Sequence, residues 1–297
     1  MRRRSLGVLL IVLVAWITSL ATPITVLYTN DMHMRWDRFA SMADLIAAER
    51  DRDIPVLLFD AGDTWQDHRQ PIQSVWGSDE AIDWMNAVSY TAMALGNHDT
   101  YLGAARLSQL ISNVSFPVLL ANWPRVHHTG QPESESSILV QVEDVTILVI
   151  GLTTPEFLPV PAFPGRRYLN PVAVVHELLR RHAGDHDVVF VIGHISLDHA
   201  RTIARQVPEI DLFISGHSHQ RTPQPVTEGT TLIVQSGAFG QALGRLQLDI
   251  DVRAGGVEVL AHDLIPTERT PVDVRAGVRQ LAKVFTVIAC AVAVWWL

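Results

Sequence analysis

Five short polar turns in this sequence carry aspartate, asparagine or histidine, and each directly follows an apolar run. The turns are Asn30-Asp31-Met32-His33, Asp60-Ala61-Gly62-Asp63, Gly96-Asn97-His98-Asp99, Gly193-His194 and Gly216-His217-Ser218-His219. Seven of their side chains can ligate a metal, namely Asp31, His33, Asp63, Asn97, His194, His217 and His219. One zinc ion takes about four protein donors, so seven donors predict two divalent ions that share a bridging carboxylate. The mixture of imidazole, carboxylate and amide donors suits Mn, Fe, Zn or Co.

The apolar runs before these turns predict β-strands, and helical periodicity between them predicts an α/β fold. Predicted strands cover residues 24–28, 56–59, 91–95, 118–121, 138–142, 145–150, 188–192, 212–215 and 232–235. Predicted helices cover residues 39–49, 80–88, 104–111, 172–181 and 196–206. Strands separated by helices indicate largely parallel sheets, while Glu143-Asp144 predicts one hairpin. Because ligands of such sheets bind at the carboxyl ends of the strands, the five turns can converge on one site.

Composition excludes several classes of protein. The chain has 297 residues, a formal net charge of −8 and one cysteine. A single cysteine excludes a disulfide scaffold and the cysteine-based zinc modules. The acidic balance argues against nucleic-acid binding, which needs basic residues to neutralise phosphates. The length suits one large domain or two small ones.

Both ends of the chain differ from its middle. Arg2, Arg3 and Arg4 precede an apolar run at residues 6–17 and a small-residue exit near Ala21. Residues 1–21 are therefore predicted to be a cleaved signal peptide or an uncleaved signal anchor, which implies export to the periplasmic or extracellular face. Residues 22–265 are predicted to form the catalytic domain and residues 266–283 a linker.

The C-terminal residues 284–297 contain no charged residue and end in two tryptophans and a leucine. Fourteen helical residues span about 21 Å, which is less than the hydrocarbon core of a bilayer. A buried closing helix, a GPI-type signal and a membrane-associated tail are the alternatives, and we favour membrane association.

The five turns, in this order, resemble the signature of the calcineurin-like metallophosphoesterase superfamily. Residues 29–33, 116–122 and 151–156 resemble its branch of 5′-nucleotidases and cyclic-nucleotide phosphodiesterases. The resemblance covers roughly residues 24 to 250 and implies a catalytic domain without the C-terminal domain that binds the nucleoside base in that branch. Met34 stands where the branch has glycine, and Ile195-Ser196 replaces its usual pattern after His194.

This resemblance implies a four-layer α/β/β/α sandwich with a dinuclear metal site. It assigns Asp31, His33 and His219 to one ion, Asn97, His194 and His217 to the other, and Asp63 to the bridge. A hydroxide held between the ions would attack small phosphate mono- or diesters, including nucleotides. His98, oriented by the carboxylate of Asp99, would donate a proton to the leaving oxygen or stabilise it.

Two other functions are compatible with parts of this pattern. A non-catalytic ectodomain that binds a metal or another ligand could keep the fold, but metal binding alone does not require the His98-Asp99 pair. A DNA-processing nuclease of the same superfamily is disfavoured by the predicted export and by the acidic balance. The sequence therefore favours an exported dimetal phosphoester hydrolase.

Overall fold

The computed structural model describes residues 21–124, 134–156, 163, 165–252 and 256–270. The predicted leader, apart from its last residue, lies outside the described residues. The predicted linker beyond residue 270 and the apolar tail at residues 284–297 also lie outside them. Within the described ranges, no helix combines the length and the apolar character needed to cross a membrane.

The first of two mixed sheets carries the N-terminal strands. Its members are β1 (Thr22–Thr29), β2 (Val56–Asp60), β3 (Ala92–Ala94), β4 (Val118–Leu119), β11 (Ala242–Asp251) and β12 (Gly256–Pro266). Strands β1 to β4 are parallel neighbours, and β11 pairs antiparallel with both β1 and β12. The carboxyl ends of β1, β2 and β3 therefore lie along one edge.

The second sheet is built from the middle of the chain. Its members are β5 (Ser137–Val142), β6 (Val145–Thr153), β7 (Val188–His194), β8 (Leu212–Ser215), β9 (Val226–Glu228) and β10 (Thr231–Val234). Their order in the sheet is β5-β6-β7-β8-β10-β9, with β6, β7, β8 and β10 parallel. Strands β5 and β6 form the expected hairpin around Glu143-Asp144, since Val142 pairs with Val145.

Helices cover the outer face of each sheet. They are α1 (Phe39–Arg50), α2 (Pro71–Ala87), α3 (Gly103–Asn113), α4 (Pro171–Arg181) and α5 (Leu197–Gln206). Leu27 of β1 packs with helices α1 to α3, whereas the neighbouring Val26 faces the other sheet. In β6, Leu148 packs with α4 and α5, whereas Val149 faces the first sheet. This alternation along buried strands gives three apolar layers between four layers of structure, which confirms the α/β/β/α sandwich.

Four elements differ most from the sequence prediction. Helix α2 begins at Pro71 rather than at residue 80, a start that proline permits because it is well tolerated in the first turn of a helix. Strands β9, β11 and β12 were not predicted at all. In β11 the apolar residues Leu246, Leu248 and Ile250 alternate with polar ones, which is the pattern of a strand with one buried face.

Candidate metal centre

The loops that follow β1 and β2 run side by side. The backbone N–H of Asp31 donates to the carbonyl of Gly62, and that of His33 donates to the carbonyl of Asp63, each at 2.8 Å. Asp31, His33 and Asp63 have φ angles of 52°, 47° and 60°. This left-handed region is unfavourable for residues other than glycine, and such strain clusters at functional sites. The paired loops thus direct three of the predicted ligands to one place.

Asp63 lies between the two predicted ligand sets. Its Oδ2 is 3.1 Å from His194 Nε2 and 4.0 Å from His33 Nε2, while its Oδ1 accepts a hydrogen bond from the backbone N–H of His98 at 2.8 Å. Only glycine fits at position 96, because a Cβ there would overlap the Asp63 carboxylate. The carboxylate predicted to bridge is therefore fixed by packing as well as by hydrogen bonds.

Ligands from the second sheet approach from the opposite side. His194, the last residue of β7, lies 2.9 Å from the Ala61 carbonyl through Nδ1, so that nitrogen donates and Nε2 is left to face Asp63. His217 donates its backbone N–H to Asp31 Oδ2 at 2.9 Å. Its Nδ1 lies 3.1 Å from Asn97 Oδ1 and 3.3 Å from His194 Nε2. These contacts bring Asn97, His194 and His217, the second predicted ligand set, close together.

The first predicted ligand set is equally close. The Nε2 atoms of His33 and His219 are 3.1 Å apart, and Asp31 Oδ1 is 3.2 Å from His219 Nε2. Within the described part of the chain, Asp31 Oδ1 and His33 Nδ1 are buried without a hydrogen bond. A buried polar atom without a partner is costly. A cation among these atoms would satisfy the Asp31 oxygen.

The donor set fits divalent ions. All seven predicted ligands converge, and their atoms form the groups Asp31–His33–His219 and Asp31–Asp63–His194, with Asn97 and His217 adjoining the second group. Imidazole nitrogens that face one another at about 3 Å need either a proton or a shared cation between them. Nitrogen and oxygen donors of this kind suit Zn, Mn, Fe or Co.

The pKa values of the buried groups reflect the same concentration of charge. Burial alone would raise the pKa of Asp31 and Asp63, but His194 and His33 hold both pKa values below their usual range. Burial opposes the charge on His194, yet Asp63 and Asp31 raise its pKa to about 10. Both carboxylates are therefore favoured as anions, the form in which they can ligate a cation.

The predicted pairing of His98 with Asp99 is wrong. The Asp99 carboxylate is fully buried and accepts hydrogen bonds from backbone N–H groups, those of Asp63, Thr64, Trp65 and Gly96, at 2.7–3.0 Å. Adjacent residues of a 3₁₀ turn point their side chains in different directions, so Asp99 faces the loop backbone. His98 Nδ1 instead lies 3.3 Å from Asp67 Oδ1.

Besides Asp67, two residues to which the sequence analysis gave no role contact the site. Glu156 Oε2 lies 2.8 Å from His217 Nε2. The ring centroid of Phe239 lies 5.4 Å from that of His33 and 5.2 Å from that of His219. Glu156 ends the stretch 151–156 that carries part of the family resemblance, which was an available signal. Asp67 and Phe239 belong to no such pattern.

Comparison with known proteins places these observations in a family. The family model described as calcineurin-like phosphoesterase matches residues 24–221. A 5′-nucleotidase of Diplobatis ommata is 31% identical over 276 residues, covering 77% of this chain and 46% of that protein. The 5′-nucleotidase of Bos taurus is 27% identical over 317 residues, covering 90% and 54%. The chain thus spans about half the length of these relatives.

Solved structures share the fold. A 5′-nucleotidase precursor from Thermus thermophilus superposes with a TM-score of 0.71 at 22% identity, covering 90% of this chain and 59% of that one. Members of the matched family use a dimetal centre, in agreement with the donor groups found here. Because the family model matches more than half of the sequence, the chain belongs to the calcineurin-like phosphoesterase family.

Proposed function

We propose that this chain hydrolyses small phosphate esters with two divalent ions. Asp31, His33 and His219 would hold one ion, Asn97, His194 and His217 would hold the other, and Asp63 would be shared between them. The observation that carries the proposal is the position of Asp63, whose Oδ2 is 3.1 Å from one ligand set at His194 and 4.0 Å from the other at His33. A carboxylate shared in this way suits a pair of ions better than one.

The chain's own residues orient the reaction. When bound, the ions supply positive charge for the phosphoryl oxygens and lower the pKa of water towards ~7, so that a nucleophile is available at neutral pH. His98 Nε2 lies 3.9 Å from Asp63 Oδ2, and its side chain is 14% exposed at the rim of the site. From there His98 donates a proton to the leaving oxygen as its bond to phosphorus breaks, a role worth about 10²–10⁴-fold.

Nucleotides are the proposed substrate class within the small phosphate esters. Support comes from the relatives named 5′-nucleotidase. We propose further that the chain acts outside the cytoplasm, since the charged and apolar residues 1–21 are typical of export.

The test is hydrolysis with added Mn²⁺ by the purified chain. The panel contains p-nitrophenyl phosphate, its bis ester, AMP, UDP-glucose and 2′,3′-cyclic AMP. His98→Ala should abolish most turnover, and His176→Ala, on the exposed face of α4, serves as the matched control. Turnover by the wild type and the control alone supports the proposal. If the wild type binds Mn²⁺ but hydrolyses nothing, the proposal fails and a ligand-binding ectodomain becomes the better hypothesis.

A further inference from the structure

The side chain of Asp67 lies between two histidines of the site. Its Oδ1 is 3.3 Å from His98 Nδ1, and its Oδ2 is 3.6 Å from His33 Nδ1. The Asp67 side chain is 1% exposed, so water does not compete for these contacts. A single buried carboxylate therefore faces both a predicted metal ligand and the predicted proton donor.

The local chain holds this carboxylate in place. The backbone N–H of Asp67 donates to Ser74 Oγ of α2 at 2.8 Å. Arg69 contacts the carboxylate with Nε at 2.9 and 3.0 Å and with Nη2 at 2.8 Å, and its backbone N–H donates to Oδ1 at 2.9 Å. The carboxylate is thus fixed by the guanidinium and the backbone N–H of Arg69.

For His98 this contact favours a proton that stays on Nδ1, so that the second proton of the doubly protonated ring, at Nε2, is the one donated to the leaving oxygen. A carboxylate beside Nδ1 favours an Nδ1–H, and it orients the ring so that Nε2 faces the centre at Asp63. His68 is the competing partner, because its Nδ1 lies 3.1 Å from His98 Nδ1. The His68 side chain is 55% exposed and uncharged unless protonated, so it is the weaker anchor.

The same carboxylate also lies near His33 Nδ1, which is buried without a hydrogen bond in the described part of the chain. The Nε2 of His33 faces Asp31 and His219. A carboxylate behind a ligating imidazole fixes the ring and raises its basicity, and loss of such a partner costs about 10–100-fold in metal affinity.

We propose that Asp67 is a positioning residue that orients both His98 for proton donation and His33 for ion binding. This proposal rests on the proposed function for its kinetic consequence, but its consequences for ion binding and for the His98 tautomer are independent of turnover. The shared carboxylate links leaving-group protonation to one of the two ligand sets.

Asp67→Asn in the full chain is the principal test, with Asp79→Asn as the matched control, since Asp79 of α2 also pairs with an arginine, Arg106. With an alkyl phosphate, whose leaving group needs a proton, we expect kcat to fall about 10²-fold or more. With p-nitrophenyl phosphate, whose leaving group needs little help, the fall should be at least about 10-fold smaller. Equal losses on both substrates would overturn the proton-donation part.

Two measurements are independent of catalysis. Mn²⁺ should bind Asp67→Asn about 10–100-fold more weakly than it binds Asp79→Asn; equal affinity would refute the His33 contact. In ¹⁵N-histidine NMR of the wild type, assigned with His98→Ala, the Nδ1 of His98 should carry a proton in both the doubly protonated and the neutral ring. A neutral ring with its proton on Nε2, or a larger kinetic effect of His68→Ala than of Asp67→Asn, would overturn the assignment. If the wild type lacks turnover, the proposed function fails while these two measurements still decide the role of Asp67.

Discussion

The two sheets contribute different chemistry to one site. Among the seven predicted ligands, the first sheet supplies both carboxylates and the amide, at Asp31, Asp63 and Asn97, together with His33; the second supplies only histidines. The side chains of Asp31 and His33 are fully buried, and Asp63 is 2% exposed, whereas His217 and His219 of the second sheet are 13% and 34% exposed. The first half is therefore buried and anionic, and we call it the rigid half. In the second, which we call the open half, His194 is buried but His217 and His219 are partly exposed.

The largest loss of metal binding and turnover is expected on substitution of Asp63, whose carboxylate lies near ligands of both halves. Asp63→Ala removes the carboxylate that contacts His33 and His194, so both ions should be lost. Turnover should fall by more than about 10⁴-fold, beyond the contribution of a general acid. Metal content after gel filtration and hydrolysis of p-nitrophenyl phosphate provide the measurement, with the exposed Asp198→Ala as control. A variant that keeps two ions would contradict the bridge.

A pair of glycines sharpens the contrast between the rigid and the open half. At Gly96, beside the first sheet, a Cβ would overlap the Asp63 carboxylate, whereas at Gly193 of β7 the nearest atom would be Phe213 Cε1 at 3.1 Å. Gly96→Ala should therefore lower Mn²⁺ affinity by about 100-fold and destabilise the fold by about 1–3 kcal/mol. Gly193→Ala should change the free energy of unfolding by less than about 1 kcal/mol. Similar effects of the two variants, by calorimetric titration and thermal unfolding, would break the contrast.

The open half depends on Glu156 to orient one of its histidines. Glu156 Oε2 is 2.8 Å from His217 Nε2, which leaves Nδ1 to face the centre. Glu156→Ala should weaken Mn²⁺ binding by about 10-fold, the lower end for loss of such a partner, because the Glu156 side chain is 45% exposed. Glu177→Ala, another exposed glutamate, should have no effect. Unchanged affinity in Glu156→Ala would show that His217 needs no partner.

Strain outside the site should behave differently from strain within it. Glu143, in the β5–β6 hairpin of the second sheet, has a φ of 52° and contacts none of the predicted ligands in the described structure. Glu143→Gly should raise the free energy of unfolding by about 1 kcal/mol, because glycine adopts this conformation without strain. Turnover should not change, and a loss of turnover in this variant would link the hairpin to the site.

The sequence was sufficient for the general architecture and for the converging turns. Each predicted ligand follows an apolar strand, and parallel strands bring such turns to one edge, so the approach of Asp31, Asp63 and Asn97 to one another follows from pattern alone. The partner of His98 could not be predicted in this way. Asp99 is adjacent in sequence but faces the backbone, and Asp67 reaches His98 from another loop.

The missed strands have a different cause. Strand β11 alternates between apolar and polar residues and was predictable, although it lies far along the chain from its neighbour β1. Strand β12 alternates between exposed and partly buried residues, from Gly256 to Pro266, and buries no side chain fully. Its formation depends on pairing with β11, which is information that the local sequence does not contain.

The contacts that close the site also set when it can form. Asp31 and His217 are 186 residues apart in the chain, and Ala61 and His194 are 133 apart. In a chain synthesised from its N-terminus, the carboxylates of the first half therefore exist long before the histidines that complete them, and contacts of such long range form late in folding. Full coordination must wait until residue 219 has been made and β8 has docked. Bound metal would then require both halves of the site to have come together and, by mass action, would stabilise the folded state.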